Sequence, residues 1–390
     1  MKQTLSPALQ SLVDQLLAFL AQDGCTDAEF DAQAAVLFAF QYAHNEPYRR
    51  FCQRRGVTPR RVTGWRQVPP VPISAFKDAT LSCVAPADCE RVFMTSGTSR
   101  GEIKGCHHHP TMAVWDGSMR RHFEQRFLQG RGALPMLLLF PDERQLPNSS
   151  LARYLSLAAR CYGTPDSRSY IGPHGLDLDG LCAALGAAVA RAQPIALMGA
   201  SFSLVHLLDA LRERGLRYAL PAGSRLLDTG GYKGQARQLP LEGFYDGLAE
   251  TFGVQRPECI NMYGMTELSS QFYDAGNQSL PSVKRAPHWV RSRVLDPVSG
   301  SELPRGERGL LAHCDLANVN SAIAILTEDV GIAVDDGFLL LGRAEGAEAK
   351  GCSLAVQEFL EASRSQGNVA LPLSLIPVGD GRPRPALGRP

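Results

Sequence analysis

Residues 94 to 105 of the chain read MTSGTSRGEIKG, a run that places hydroxyl side chains, glycines and one lysine within a single loop. The run follows Arg91-Val92-Phe93, which is typical of the end of a β-strand. Glycines let backbone N–H groups approach phosphate oxygens, hydroxyl groups add donors, and lysine supplies a compact positive charge. The loop is not a Walker A motif, because no Gly-Lys-Ser/Thr follows at the required spacing. It predicts either a phosphate-binding loop or an ordinary Ser/Gly turn.

Two later runs also carry groups that suit a nucleotide. Residues 261 to 267 read NMYGMTE, and residues 327 to 331 read TEDVG, with DG at 336–337 and GR at 342–343. Each group also has an ordinary structural explanation. Tyr263 suits a half-buried aromatic, Glu267 the start of a helix, Asp329 a turn and Arg343 the surface.

The three runs resemble, in order and broad spacing, the motifs of the adenylate-forming superfamily, which contains acyl-CoA synthetases and luciferases. The corresponding motifs there read TSGTTGxPKG, YGxTE and TGDxG…DG…GR, and the resemblance covers most of residues 90 to 352. Within that superfamily the chain looks most similar to the acyl-protein synthetases, the fatty-acid ligase component of bacterial bioluminescence systems. The segments that carry this second resemblance are 106–109, 147–151 and Gly342-Arg343 with 350–355.

The resemblance implies ATP and Mg²⁺ as cofactors and assigns a role to each matching residue. Glu267 is implied as the Mg²⁺ ligand, Thr266 as a phosphate contact and Lys104 as the cation of the phosphate loop. Tyr263 is implied to stack on adenine and Asp329 to hold both ribose hydroxyls, because a carboxylate has two acceptor oxygens. The nucleotide-binding residues implied are Thr95, Ser96, Gly97, Thr98, Ser99, Gly101, Gly230, Gly231, Tyr232, Tyr263, Gly264, Asp329 and Arg343.

The end of the chain departs from full-length relatives, which carry a C-terminal domain of roughly a hundred residues, within the usual domain range. Only residues 344 to 390 follow Arg343, so we expect the lysine of that domain to be replaced by Lys104, Lys233 or a partner protein. Cys352 is the candidate acyl acceptor by resemblance, carried on a short Gly-flanked segment at 346–351 that we expect to move. A buried structural cysteine is the alternative.

The resemblance also implies that the acid lies near residues 199 to 203, because the equivalent segment lines the acyl pocket in relatives, and Phe202, Leu204 and Val205 supply apolar side chains there. The same residues suit ordinary core packing. Three successive histidines at 107–109 rarely converge on one metal ion, because neighbouring side chains on a strand point to opposite faces. We expect one of them to line the pocket and the others to pack or face solvent.

The order of elements predicts an α/β fold with largely parallel sheets and a small antiparallel sheet or barrel. Helices open the chain (1–55); strand and helix patterns alternate after an extended Pro-rich linker at 68–72; and short strands follow Trp289. The expected division is an adenylate-forming N-terminal domain at 1–343 and a short C-terminal segment at 344–390, whose Pro/Gly/Arg-rich end from 379 is expected to be disordered.

Composition limits the classes of function. With 40 Lys and Arg against 39 Asp and Glu, the chain gives no sign of a nucleic-acid partner, and no run is apolar enough to span a membrane. Ten scattered cysteines without a Cys-x-x-Cys pair favour a cytoplasmic enzyme with free thiols. We expect an AMP-forming acid–thiol ligase whose partners are a carboxylic acid and an acyl-reductase, a carrier protein or CoA. The alternatives are an acyl- or aryl-CoA ligase resembling phenylacetate-CoA ligases, and a non-catalytic nucleotide-binding subunit of a reductase complex.

Overall fold

The computed structural model describes residues 5–95, 103–231, 237 and 239–363. The helices are α1 (Pro7–Leu20), α2 (Asp27–His44), α3 (Glu46–Arg54), α4 (Ala75–Asp78), α5 (Ala113–Phe123), α6 (Ser150–Tyr162), α7 (Leu178–Ala190), α8 (Ser201–Glu213), α9 (Leu241–Phe252) and α10 (Ala347–Ser363). The strands are β1 (Val71–Pro72), β2 (Arg91–Met94), β3 (Cys106–His109), β4 (Met136–Leu139), β5 (Arg168–Ser169), β6 (Ile171–Gly172), β7 (Gly175–Leu176), β8 (Ala196–Ala200), β9 (Arg225–Thr229), β10 (Cys259–Tyr263), β11 (Phe272–Tyr273), β12 (Val283–Lys284), β13 (Val290–Leu295), β14 (Arg308–Asp315), β15 (Ala324–Val334) and β16 (Gly337–Arg343).

The first three helices begin at side chains that cap them. The Ser6 side chain accepts from the Leu9 N–H at the start of α1, and the Asn45 side chain accepts from the Tyr48 N–H at the start of α3. Thr26 and Glu29 form the capping box that the sequence predicts for α2, which satisfies two backbone donors at the helix start.

A six-stranded sheet forms the centre of the molecule, in the order β11-β10-β9-β8-β4-β5. Every neighbouring pair is parallel except β10 with β11. Every residue of β4, β8 and β9 is buried, as expected of a parallel sheet covered by helices on both faces. The carboxyl ends of β4, β8, β9 and β10 therefore open at one edge, where ligands bind in open α/β sheets.

A second sheet has the order β12-β16-β15-β14-β13, and β1 pairs parallel to β15. Its other pairs are antiparallel. The strands that the sequence predicts after Trp289 appear within one residue of their expected bounds. The prediction of an α/β fold with a parallel sheet and an antiparallel sheet is confirmed, but the second sheet is not small: with β1 it has six strands, as many as the first.

The last described helix, α10, packs against α3 near the start of the chain. The Phe359 side chain is fully buried, and its ring centroid lies 5.1 Å from that of Phe51. Arg55 Nε donates to Glu358 at 2.7 Å, and Arg308 Nε donates to Glu348 at 2.8 Å. The expected mobile Gly-flanked segment is thus mostly helical, because α10 begins at Ala347 and is held by contacts along its length. The expected disorder from residue 379 lies outside the described residues.

Candidate active site

A cleft of about 1100 Å³ opens at the carboxyl edge of the parallel sheet. The turns that follow β4, β8, β9 and β10 line it, and β15 and β16 of the second sheet close its other side. The predicted site residues that line it are Thr95, Gly230, Gly231, Tyr263, Gly264, Thr266, Glu267, Asp329 and Arg343. Residues from three separate sequence motifs therefore share one cavity.

Tyr263, Asp329 and Arg343 form a hydrogen-bonded series across the two sheets. The Tyr263 hydroxyl donates to Asp329 Oδ2 at 2.7 Å, and Arg343 Nε lies 3.2 Å from Asp329 Oδ1. Each carboxylate oxygen keeps a further lone pair, so Asp329 can still accept from a vicinal diol. Burial and the nearby Asp329 charge raise the pKa of Tyr263 well above its ordinary value, so the hydroxyl remains a donor.

Gly230 and Gly231 form a turn after β9, and the side chain of Ser201 contacts the backbone of this turn. Ser201 Oγ, at the start of α8, lies 2.9 Å from Asp228 Oδ2 and 2.9 Å from the Gly230 carbonyl oxygen, and its hydroxyl can donate to either. Gly230 has a φ of 72°, a conformation that side-chain-bearing residues rarely adopt. The turn therefore presents bare backbone to the cleft. The companion residue Tyr232 lies outside the described residues.

Thr95 closes the base of the predicted phosphate loop. Its N–H donates to the Gly105 carbonyl at 3.0 Å, and its Oγ1 accepts from the Gly105 N–H at 3.0 Å. Ser96, Gly97, Thr98, Ser99 and Gly101 lie outside the described residues. Lys104 is exposed beside this base and does not number among the residues that line the cleft in the described part of the chain.

Glu267 is a buried carboxylate that lines the cleft from a turn rather than from a helix start. The pKa of the Glu267 carboxyl is raised to about 7, mainly by burial and in smaller part by the charges of Glu328 and Asp329, while its own backbone N–H and Arg343 oppose the shift. A cation at this carboxylate would relieve the cost of burying it. Among the described residues no cluster of three or more His, Cys, Asp or Glu could ligate a metal by itself. A single carboxylate fits Mg²⁺, which usually takes one or two carboxylates together with substrate phosphates.

The turn that carries Glu267 is held by two buried side chains that the sequence reading did not single out. Asn318 Nδ2 donates to the Glu267 carbonyl at 3.1 Å, and its Oδ1 accepts from the Ser269 N–H at 2.8 Å. Asp315 Oδ2 accepts from the N–H groups of Ser269 and Ser270 at 3.1 and 2.8 Å. Burial raises the pKa of Asp315 to about 6, although four hydrogen-bond donors oppose the shift.

His107 supports the same turn from the other side. One ring nitrogen, Nδ1, lies 2.9 Å from the Thr266 carbonyl, and Nε2 lies 3.0 Å from Ser321 Oγ. Burial lowers the pKa of His107 to about 4, so the ring is neutral at pH 7 with its proton on Nδ1 toward the carbonyl. The expectation that one of the three histidines lines the pocket is wrong for the described cleft. His107 and His109 are buried on the same side of β3, where they pack, and His108 faces the other way.

The remainder of the cleft wall is mainly apolar. Its lining includes Trp115, Phe140, Leu146, Leu151, Tyr154, Ile171, Leu176 and Phe202. Of the three residues predicted near the acid, Phe202 lies in this wall. Leu204 and Val205 are fully buried and belong to the core around α8 and α9, because the helix turns those positions away from the cleft.

The other predicted group, Cys352, lies in α10, and its side chain is outside what the structure describes. The side chain of Lys350 is likewise outside what the structure describes, and Lys233 lies outside the described residues altogether. No described helix is long and apolar enough to cross a membrane.

Solved structures with the same fold are adenylate-forming ligases. A crystal structure of 2-hydroxyisobutyryl-CoA ligase with its acyl-adenylate matches with a TM-score of 0.61 at 16% identity, over 81% of this chain and 67% of the ligase chain. The same ligase in an open conformation with acyl-adenylate and CoA also matches with a TM-score of 0.61, over 81% of this chain. At this identity the likeness establishes the fold, and the cleft lies at the sheet edge where that fold places ligands.

The family is established by sequence. The model of the acyl-protein synthetase family, LuxE, matches residues 26–361, and the chain belongs to this family. Two relatives are named long-chain-fatty-acid–luciferin-component ligase. The one from Vibrio harveyi is 25% identical over 85% of this chain and 88% of its own, and the one from Aliivibrio fischeri is 24% identical over 83% and 86%. The protein is thus an AMP-forming acyl-protein synthetase, which activates an acid as an acyl-adenylate and passes the acyl group to a thiol or protein.

Proposed function

We propose that the cleft catalyses both steps with the residues assigned above, on an acid with an apolar body. The observation that supports this most directly is that Glu267, Asp329, Tyr263 and the Gly230–Gly231 turn share one cavity with an apolar wall. The relatives are named for long-chain fatty acids. A fatty or aromatic acid is therefore the proposed substrate class, with ATP as the nucleotide.

In the first step an oxygen of the substrate carboxylate attacks the α-phosphorus of ATP. The bond between the α-phosphorus and the bridging oxygen breaks, pyrophosphate leaves, and the acyl-adenylate forms. Asp329 would accept from the ribose hydroxyls while Tyr263 holds that carboxylate in place. Arg343 and Lys104 would supply positive charge, which matters because two anions must approach each other.

Glu267 would hold Mg²⁺ together with phosphate oxygens. When bound, the ion offsets negative charge on the phosphate groups. The chain's own contribution is to keep a buried carboxylate at a fixed position facing the cleft, through Asn318, Asp315 and His107.

In the second step a thiolate attacks the acyl carbonyl carbon, the bond to the AMP oxygen breaks, and a thioester and AMP result. The proposed acceptor is Cys352, with onward transfer to a reductase, a carrier protein or CoA. We further propose the division into a main domain at 1–343 and a C-terminal segment at 344–390. Nine described cysteines are free thiols, which favours the reducing cytoplasm as the site of action.

The test is acid-dependent exchange of labelled pyrophosphate into ATP, measured with and without Mg²⁺ across fatty and aromatic acids. Exchange that needs both an acid and the metal supports the proposal. Failure of every acid, together with failure of ATP to bind in calorimetry, would contradict it. Exchange followed by acyl transfer to free CoA alone would replace the protein thiol by CoA as the acceptor.

A further inference from the structure

The lining of the cleft changes along the edge of the parallel sheet. The Gly230–Gly231 turn, which follows β9, belongs to the proposed nucleotide site. Beyond β9 the sheet continues with β8, β4 and β5, and a large apolar side chain lines the cleft after each of them: Phe202 after β8, Phe140 after β4 and Ile171 after β5. Neighbouring strands lie about 4.8 Å apart, so β5 is about 14 Å from β9. The cleft therefore has a nucleotide end at β9 and an apolar end at β5.

A hairpin of β6 and β7 forms the wall at the apolar end. Ile171 pairs directly with Leu176, so the two side chains lie on the same face of the hairpin. Both line the cleft and are partly exposed, whereas residues 172–175 between them are exposed and do not line the described cleft. This apolar pair therefore faces the cleft, and the turn beyond it faces solvent.

Backbone hydrogen bonds at its base fix the hairpin to the sheet. The Tyr170 N–H donates to the Leu138 carbonyl of β4 at 2.9 Å, and the Asp177 N–H donates to the Tyr170 carbonyl at 2.8 Å. Ser169 Oγ donates to the Phe140 carbonyl at 2.7 Å. Because these bonds join the base of the hairpin to β4 and to the residue after it, the apolar pair lies at a set distance from the nucleotide end.

We infer that the Ile171–Leu176 pair ends the acyl pocket and sets the longest straight-chain acid that the enzyme activates efficiently, an inference that rests on the proposed function. The carboxylate of the acid must lie beside the α-phosphate at the nucleotide end, so its chain extends past β8 and β4 toward the hairpin. Each methylene group that leaves water for this apolar part should raise kcat/KM about threefold to fourfold. A chain that has reached the pair must displace it to extend further, so the gain stops there.

A series of saturated straight-chain acids from hexanoate to octadecanoate tests the inference with the wild-type enzyme. The measurement is kcat/KM for acid-dependent pyrophosphate exchange, which should rise about tenfold for each two added carbons and then level off or fall at one length. A series without such a break, or exchange with aromatic acids alone, overturns the inference and leaves the proposed function standing. Exchange with no acid of either kind overturns the proposed function and this inference with it.

Substitutions of opposite effect on volume assign the break to the hairpin. Ile171→Ala removes volume from the wall and should move the break to acids about two carbons longer, as should Leu176→Ala. Ile171→Phe adds volume and should move the break to shorter acids. Lost packing alone would lower kcat/KM at every length, so shifts in opposite directions distinguish a length limit from a loss of stability.

Leu178→Ala is the matched control for the hairpin variants. Leu178 is partly buried and packs on the same hydrophobic cluster as Leu176, but it does not line the described cleft. Its substitution should leave the break at the wild-type length. A break that stays at that length in all three hairpin variants, or that moves equally in Leu178→Ala, would overturn the inference.

Discussion

At the scale of single residues, the site depends on a buried carboxylate whose ionised form needs a cation. Glu267→Gln keeps the shape of the side chain and removes its charge. Because the anchor for Mg²⁺ is then lost, we expect acid-dependent pyrophosphate exchange to fall on the order of a hundredfold or more. Initial rates of labelled pyrophosphate exchange measure this. The matched control is Glu302→Gln, a surface glutamate paired with Arg66, which should exchange normally. Full activity in Glu267→Gln would show that Glu267 does not bind Mg²⁺.

His313 links the stability of the folded protein to pH. Its ring is buried against Phe272 and Phe338, and burial lowers the pKa of His313 from 6.5 to about 3. The unfolded state therefore binds a proton first as pH falls, so the stabilisation is complete above pH 6.5 and is lost as pH falls from 6.5 toward 3. Because this loss begins only near pH 6.5, a fall from pH 7 to pH 5 includes about 1.5 pH units of it, which at about 1.4 kcal/mol per unit costs roughly 2 kcal/mol through this residue.

His313→Phe should therefore lose about 2 kcal/mol less stability than wild type between pH 7 and pH 5, although it is less stable at pH 7 because the bond to Ser292 is lost. Denaturant unfolding at the two pH values measures both quantities. Identical pH dependence in the two proteins would mean that His313 is accessible to protons in the folded state.

Among the secondary-structure elements, the sequence predicts the strands better than it predicts the contacts that hold the Glu267 turn in place. The apolar runs that became β4, β8 and β9 and the three motifs are local signals, readable within a few residues. The support of the Glu267 turn is not local. Asn318 is 51 residues from Glu267, and His107 is 159 residues from Thr266. Asp315, the last residue of β14, and Asn318, in the loop that follows, look like ordinary turn residues in the sequence, so only the fold reveals what they hold.

Asn318→Ala tests this support. It should remove the bonds to the Glu267 carbonyl and the Ser269 N–H, cost about 1–3 kcal/mol of stability, and lower the exchange rate at limiting Mg²⁺ by about tenfold. Raising Mg²⁺ should restore part of the rate, because a displaced carboxylate binds the ion more weakly. Asn45→Ala, an equally buried amide that bonds the Ser321 carbonyl, is the control for lost stability alone. An unchanged Mg²⁺ dependence in Asn318→Ala would show that its role is purely structural.

Across the molecule, the last described helix, α10, packs on α3, a helix from the first 55 residues. The sequence indicates helices in the first 55 residues and a short segment after Arg343, but neither pattern shows that α10 packs on α3. The contact depends on one buried aromatic pair and on charges far apart in sequence, Arg55 with Glu358 and Arg54 with Glu361. The two glycines of the segment at 346–351 predict mobility. Packing of Phe359 overrides that local preference, since tertiary contacts supply most of the stability of a helix.

The position of Cys352 within α10 makes the acyl-carrier hypothesis more demanding than a free tail would. With ATP and an accepted acid, the wild-type protein should gain an acyl mass that hydroxylamine removes, because a thiolate is a good leaving group. Cys352→Ser should lose this adduct and retain pyrophosphate exchange, since the first step uses only the cleft. Intact-mass spectrometry with and without hydroxylamine measures the adduct, and Cys161→Ser, which removes an exposed free thiol, is the matched control.

The packing of α10 on α3 can be tested in the same experiment with a Phe359→Ala variant. If the helix must leave α3 before Cys352 can reach the adenylate, Phe359→Ala should alter the rate of adduct formation while pyrophosphate exchange keeps its wild-type rate. Loss of both activities together would point to unfolding of the α3–α10 contact rather than to a transfer step. A full adduct on Cys352→Ser, or no adduct on wild type with a confirmed acid, would place the accepting thiol on CoA or a carrier protein, and α10 would then be a purely structural helix.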